Sequence, residues 1–303
     1  MTGGWWTSAD MASAPSSVCP SCGSRTHGRP REGRRWRWLQ VNVEFDKQRH
    51  PPMACAQQLF ARLMPQVEAW RRAGALRLFS FLRKPPDSRL RFQADTGSPL
   101  AVELRALLDG LREAGFVRAF HVAPYTPETF QFGGPWALHL VHRWFDADSV
   151  AWWRWVSSSS PHGGSPRALC AAVGEALVSA CVGPREEVWD VWCNLARLHG
   201  MPDARILAVR EAPCAAPDAE AGVAHAARLY GDAHRELGAG LARLGRTGRL
   251  ACGERALLPF VLLFHWNRYG LSLDDRAALL APMLAKYSPK RGLVGVTPTR
   301  GEP

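Results

Sequence analysis

Three stretches of the chain carry polar groups at spacings that can do chemistry. In the first, FLRKPPDSRLRF (81–92), Arg89 and Arg91 lie two residues apart in an alternating run. On a strand both guanidinium groups leave one face, while Leu90 and Phe92 leave the other. Arg83 precedes the Lys84-Pro85-Pro86-Asp87 turn and can reach the same neighbourhood across it. Guanidinium groups gathered in one place repel one another unless an anion neutralises them, and their planar forks match carboxylate or phosphate. The alternative is a solvated sheet face whose arginines pair with local acids such as Glu103. In the second stretch, YTPETFQFGGPW (125–136), Glu128 sits in a turn after a proline, and Gly133 and Gly134 permit close backbone approach or positive φ. Its blander reading is a loop that leads into a helix. The third, FHWNRYGL (264–271), sets His265, Asn267 and Arg268 at the end of an apolar run. A histidine there can act as acid or base near neutral pH, although a core histidine with satisfied hydrogen bonds is the commoner outcome.

The elements that must position these groups follow from periodicity. Residues 38–45 alternate apolar and polar side chains, which predicts a half-buried strand. Residues 53–73 show helical spacing through Leu59, Phe60, Leu63, Val67 and Trp70. Strands are expected at 76–83 and 88–94, separated by a turn whose prolines cannot serve a central ladder. Ser98 is placed to cap a helix that has Pro99 at its first position and runs to about Gly115, and 116–122 is a fourth strand. This β-α-β-β-α-β order predicts an α+β fold, a ferredoxin-like sheet unit packed against a mainly helical C-terminal half. Helices are expected at 148–157, 166–182, 185–199, 219–244, 253–268 and 273–286, with connections over 157–165 and 212–218. The organisation reads as a basic tail over 1–35, an α/β part over 36–145, a helical part over 146–290 and a short tail over 291–303.

Composition narrows the classes. A chain of 303 residues buries a sizeable core. Its longest apolar run, Ala256 to Phe264, is about half of what a membrane span needs, and the N-terminus shows no secretory signal, so cytoplasm is the expected location. Among eight cysteines, Cys55, Cys170, Cys181, Cys193 and Cys252 read as small buried hydrophobes, and Cys214 lies in a loop. Cys19 and Cys22 form a CxxC with His27 nearby, but a structural zinc site needs further ligands that do not follow, so no metal is expected. The net charge of +11 is diffuse, with much of it in the arginine-rich stretch 25–37. It does not by itself indicate a nucleic-acid partner.

Four segments in order, FLRKPPDSRLRF, YTPETFQFGG, WFDADS (144–149) and FHWNRYGL, resemble the thiopeptide-type bacteriocin biosynthesis domain. That domain is the C-terminal, glutamate-eliminating part of lantibiotic dehydratases and also exists as a separate small protein. The resemblance covers about residues 36–290. It implies that a partner subunit uses glutamyl-tRNA to glutamylate Ser or Thr of a precursor peptide, leader plus core. The small protein then removes the α-proton and expels glutamate, leaving dehydroalanine or dehydrobutyrine. By this resemblance Arg89 and Arg91 clamp glutamate, His265 transfers a proton and Glu128 orients the site. Arg83, Gln131, Asn267 and Arg268 complete the substrate contacts. No metal or organic cofactor is implied, and a homodimer is left open.

The sequence also departs from the family pattern. Many eliminating members carry an arginine where Gln131 stands, and Asp87 and Ser88 replace a histidine ahead of the RLR segment. This opens a second expectation, a thiopeptide pyridine synthase that joins two dehydroalanines in a formal [4+2] cycloaddition and expels water and the leader peptide. Trp144, Trp152, Trp153 and Trp155 are compatible with an aromatic-walled cavity, and equally with core packing. A third expectation is a noncatalytic peptide- or RNA-binding subunit. The absence of an exposed aromatic pair on the expected sheet weighs against it.

Overall fold

The computed structural model describes residues 35–158, 165–209 and 228–289. The alternating run near the start forms β1 (Trp36–Phe45), and the helical run after it forms α1 (Pro52–Arg72). Then come β2 (Leu76–Leu82), β3 (Ser88–Asp95), α2 (Leu100–Glu113) and β4 (Val117–Ala123). The sheet order is β2-β3-β1-β4, with every neighbouring pair antiparallel. Ser98 does not cap α2: its hydroxyl donates to the Asp95 carbonyl at 2.7 Å and closes a turn, so the helix starts after Pro99.

The two sheet faces differ in kind. Val41, Val43, Phe79, Phe81, Leu90 and Phe92 are buried in the apolar core against α1 and α2. Glu103, a candidate acid for the arginines, lies on the helical side instead, where it accepts a hydrogen bond from Trp70 Nε1 at 2.6 Å. The opposite face carries Gln40, Asn42, Arg89 and Arg91, which the period-two pleat forces to one side.

The chain continues through α3 (Pro135–Ser157), α4 (Pro166–Cys181), α5 (Arg185–Leu198) and α6 (Asp203–Val209). The described part ends with α7 (Gly231–Arg246), α8 (Glu254–Tyr269) and α9 (Leu273–Tyr287). The expected α+β class with a mostly helical C-terminal half is observed. α3 begins well ahead of the expected residue 148, so the expected boundary at 145/146 falls inside it. Pro135, at the first helical turn directly after Gly134, is the start signal. The short α6 lies where no helix was expected. Cys55, Cys170 and Cys193 are buried, whereas Cys181 and Cys252 are only partly so. Both tails, the 212–218 connection and Cys19, Cys22, His27 and Cys214 lie outside the described residues.

β2 is an edge strand, and the helices finish its hydrogen bonding with side chains. Asp146 Oδ1 accepts from Phe79 N at 2.8 Å, and Ser149 Oγ accepts from Phe81 N at 3.3 Å. Asn267 Oδ1 accepts from Arg83 N at 2.8 Å, while its Nδ2 donates to Arg83 O at 2.7 Å. The Asn267 amide thus stands in for a neighbouring strand and ties α8 to the hairpin. Asn267→Ala should cost about 1–3 kcal/mol, because both backbone groups lose their partner. Urea unfolding measures this, and an unchanged midpoint would contradict the edge-sealing role.

Candidate functional site

Arg91 is 5% exposed, which is unusual for a guanidinium. It sits opposite Gln40 in the β1–β3 register, and its Nε donates to Gln40 Oε1 at 3.0 Å. Gln40 Nε2 donates in turn to Asn42 Oδ1 at 3.1 Å, and Asn42 Nδ2 lies 3.1 Å from His121 Nε2. The guanidinium carbon stands 4.2 Å from the centre of the Tyr125 ring, a cation–π contact in a desolvated place. Burial lowers the Arg91 pKa; the Tyr125 phenol and Glu128 oppose the shift, and Arg268 and Arg89 add to it.

Tyr125 is itself held. Its hydroxyl lies 2.6 Å from His142 Nε2, and Trp38 packs against both rings. Burial raises the Tyr125 phenol to about 12, and burial together with Arg91 lowers His142 to about 3. The imidazole is therefore neutral at physiological pH. His142 lies ahead of residue 148, where helical periodicity becomes evident in the sequence, yet it is already inside α3.

Lys84, at the turn, is the third cation of this face. Burial lowers its pKa, Glu128 opposes that shift, and Arg89 and Arg91 reinforce it. Its ammonium lies 5.1 Å from the Phe264 ring centre. Phe264 stacks on Phe145 at 5.2 Å, and Phe132 meets both edge-on, so phenylalanines form a floor beneath Lys84. Arg89 is more open, its Nε donating to Pro85 O at 3.1 Å. Glu128, whose charge acts on Lys84 and Arg91, has its Oε2 buried and without a hydrogen-bond partner among the described residues. Gln131 lies on the same loop, half-buried, next to Phe132 of the floor.

Arg83 does not join this group. Residues 79, 81 and 83 leave the sheet on the α1 side, so Arg83 lies with Phe60, Phe81 and Trp152, its guanidinium 5.4 Å from the Trp152 ring. The expectation that it reaches Arg89 and Arg91 across the turn is corrected by this alternation. Asn267 is likewise taken up by the Arg83 backbone, which removes the side chain from substrate contact.

His265 is 0% exposed and cannot touch a substrate from solvent in this structure. Its Nδ1 donates to Asp148 Oδ1 at 2.8 Å, and Arg268 donates to Asp148 Oδ2. Tyr230 also donates to Asp148 Oδ1 at 2.8 Å, and its hydroxyl lies 2.7 Å from that of Tyr269. Burial alone would raise the Asp148 pKa, but His265 and Arg268 hold it below the usual carboxylate value. Arg268 bridges the two regions, since it stacks over Phe145 at 4.5 Å and its charge reaches Arg91.

The sequence pattern of the lantibiotic biosynthesis dehydratase C-terminal family matches residues 38–287. The chain belongs to this family. Among solved structures it is similar to the tRNA dependent lantibiotic dehydratase MibB from Microbispora sp. 107891, at 17% identity and a TM-score of 0.57. That alignment covers 87% of this family member and 28% of MibB, so the chain spans little more than a quarter of MibB's length. TsrL gives 14% identity and a TM-score of 0.51 over 84% of this chain and 94% of its own. The pyridine synthase TbtD, from thiomuracin biosynthesis, gives 17% identity and a TM-score of 0.47 over 83% of this chain and 97% of its own. The first two are likenesses of fold. No curated protein matches the sequence.

The buried imidazoles give this family member a defined acid response. His142 and His234 are lowered by burial to about 3 and about 4, against about 6.5 in an unfolded chain. Between those values the unfolded state binds more protons. The stability contributed by the neutral imidazoles is therefore complete above about pH 6.5 and lost as pH falls toward 3. Asp148, whose pKa is depressed, adds a further loss below about pH 4. Urea midpoints should fall between pH 7 and 4, and His142→Gln should flatten that fall. A wild-type midpoint constant over this range would contradict the assignment.

Proposed function

We propose that this chain is a lyase of ribosomal peptide antibiotic biosynthesis that eliminates glutamate from glutamylated Ser or Thr of a precursor peptide. The observation that carries this reading is the charge balance of the sheet face. Lys84 and Arg91 feel the charge of one carboxylate, Glu128, as well as that of Arg89, and the Glu128 Oε2 is buried without a hydrogen-bond partner among the described residues. A glutamyl ester brings one free side-chain carboxylate and develops a second when its C–O bond breaks, which suits that excess of cations.

Each residue then has a role. Glu128 accepts the α-proton, and the electrons of that C–H bond form the C=C bond. The ester C–O bond breaks, and its electron pair passes to the departing glutamate. Arg91, fixed by Gln40 and Tyr125, stabilises the charge that develops on oxygen, while Arg89 and Lys84 hold the leaving group. His265 acts through Asp148 and Arg268 as a positioning residue and transfers no proton to substrate. Phe130, 80% exposed on the Glu128 loop, offers an apolar contact to the peptide. MibB is described as tRNA dependent, and this chain corresponds to only 28% of it. The glutamylating step is accordingly assigned to a partner subunit.

A second reading, the pyridine-forming cycloaddition, is favoured by Gln131, which stands where many eliminating members carry arginine, and by the phenylalanine floor. Mass spectrometry separates the two. Incubation with a glutamylated precursor should release glutamate; loss of water and leader from a peptide with two dehydroalanines would select the cycloaddition. No change in either substrate would leave a binding subunit. Arg91→Lys retains charge but loses the fork and the stacking, and should lower kcat/KM by about 100- to 1,000-fold. Glu128→Gln should cost about 100- to 10,000-fold in kcat. Wild-type rates in both variants would remove the sheet face from the chemistry.

A further inference from the structure

A cavity of about 200 Å³ lies on the other side of the sheet from Arg89 and Arg91, between α1, the β2–β3 end and Trp152. Its wall is an aromatic cluster: ring centres are 4.4 Å apart for Phe60–Phe81 and 4.8 Å for Trp152 with each of them. An apolar cavity of about 150 Å³ is enough to bind benzene. Three polar residues, Arg83, Asp87 and Ser88, sit on this otherwise apolar lining. Ser88 is 3% exposed, and its Oγ has no hydrogen-bond partner among the described residues. Besides the Trp152 ring, the Arg83 guanidinium meets a thioether, Met53 Sδ at 3.9 Å, and it packs over the C-terminal turn of α8 beside Gly270. Asp87 also lines the cavity, but its carboxylate is engaged by Lys47 at 3.0 Å and by Phe45 N at 2.8 Å.

We propose that this cavity binds a carboxylate carrying a small aromatic or branched apolar group, with Arg83 and Ser88 on the carboxylate and Phe60, Phe81 and Trp152 around the apolar body. A guanidinium for which the described residues offer no oxygen acceptor, lining the same cavity as a buried hydroxyl without a partner among them, is completed by two carboxylate oxygens. The helix C-terminus favours the Arg83 charge but leaves the fork free to bind. Shape and charge are shared by a free acid and by a peptide ending in an apolar residue. The proposal is independent of the elimination chemistry on the opposite face.

Isothermal titration of the full chain with benzoate and with N-acetylphenylalanine tests this and separates the two sources. Saturable binding of either is expected, with benzyl alcohol, which has the apolar body without the charge, at least tenfold weaker. Arg83→Met should weaken binding at least tenfold. Ala56→Leu, which fills the cavity and leaves Arg83 in place, should abolish it even if the first variant fails to fold. The Arg89→Ala/Arg91→Ala double variant should bind within about twofold of wild type. Absence of saturable binding to both acids, binding that survives Ala56→Leu, or binding lost with Arg89 and Arg91 would overturn the proposal.

Discussion

A fully buried carboxylate sets the geometry of the helical half. Asp148 is 0% exposed in the middle of α3, and a charge in such a place must be met by donors on every side. Tyr230 reaches it from the start of α7, and His265 and Arg268 reach it from successive turns of α8. Removing one partner of such a pair costs about 3–5 kcal/mol, because the other is left charged and unpaired. Once α8 is fixed to α3, Asn267 is carried to the end of β2, where it completes the hydrogen bonding of Arg83. The hairpin turn that holds Lys84 therefore depends on a carboxylate in another layer.

The same economy explains how an arginine survives burial on the sheet. β1 supplies Gln40 directly opposite Arg91, and Asn42 and His121 extend the hydrogen bonds across to β4. Tyr125 covers the flat side of the guanidinium, and neutral His142 fixes the Tyr125 hydroxyl. These contacts hold the Arg91 guanidinium in one place, where it feels the charge of Glu128. A preorganised cation of this kind does not reorganise when charge develops beside it, which is the usual source of electrostatic stabilisation.

Strand and helix periods made most of the α/β part readable, because period-two and helical burial patterns are direct images of one buried face. Arg89 and Arg91 on a common face followed from that period alone. Arg83 did not, since a turn reverses the chain without preserving which face a residue takes, and Lys84 stands with the arginine face instead. His265 looked chemical because polar residues at the end of an apolar run are conspicuous. Its partner Asp148 lay over a hundred positions away, and only the packing of α3 on α8 unites them. Gln40 and Asn42 carry a legible signal, as polar positions in a central strand opposite arginines need partners. His142 was obscured by the late start assigned to α3.

The most direct test is a crystal structure with a precursor-derived peptide whose glutamyl group is attached to diaminopropionate through an amide, which cannot be eliminated. The glutamyl carboxylate is expected against Arg89 and Lys84 and the amide carbonyl near Arg91, with the α-carbon of the modified residue facing Glu128 and His265 still enclosed. A glutamyl group bound away from the Arg89–Arg91 face, or reaching His265 in an opened helical layer, would contradict the assignment of this face as the site of elimination.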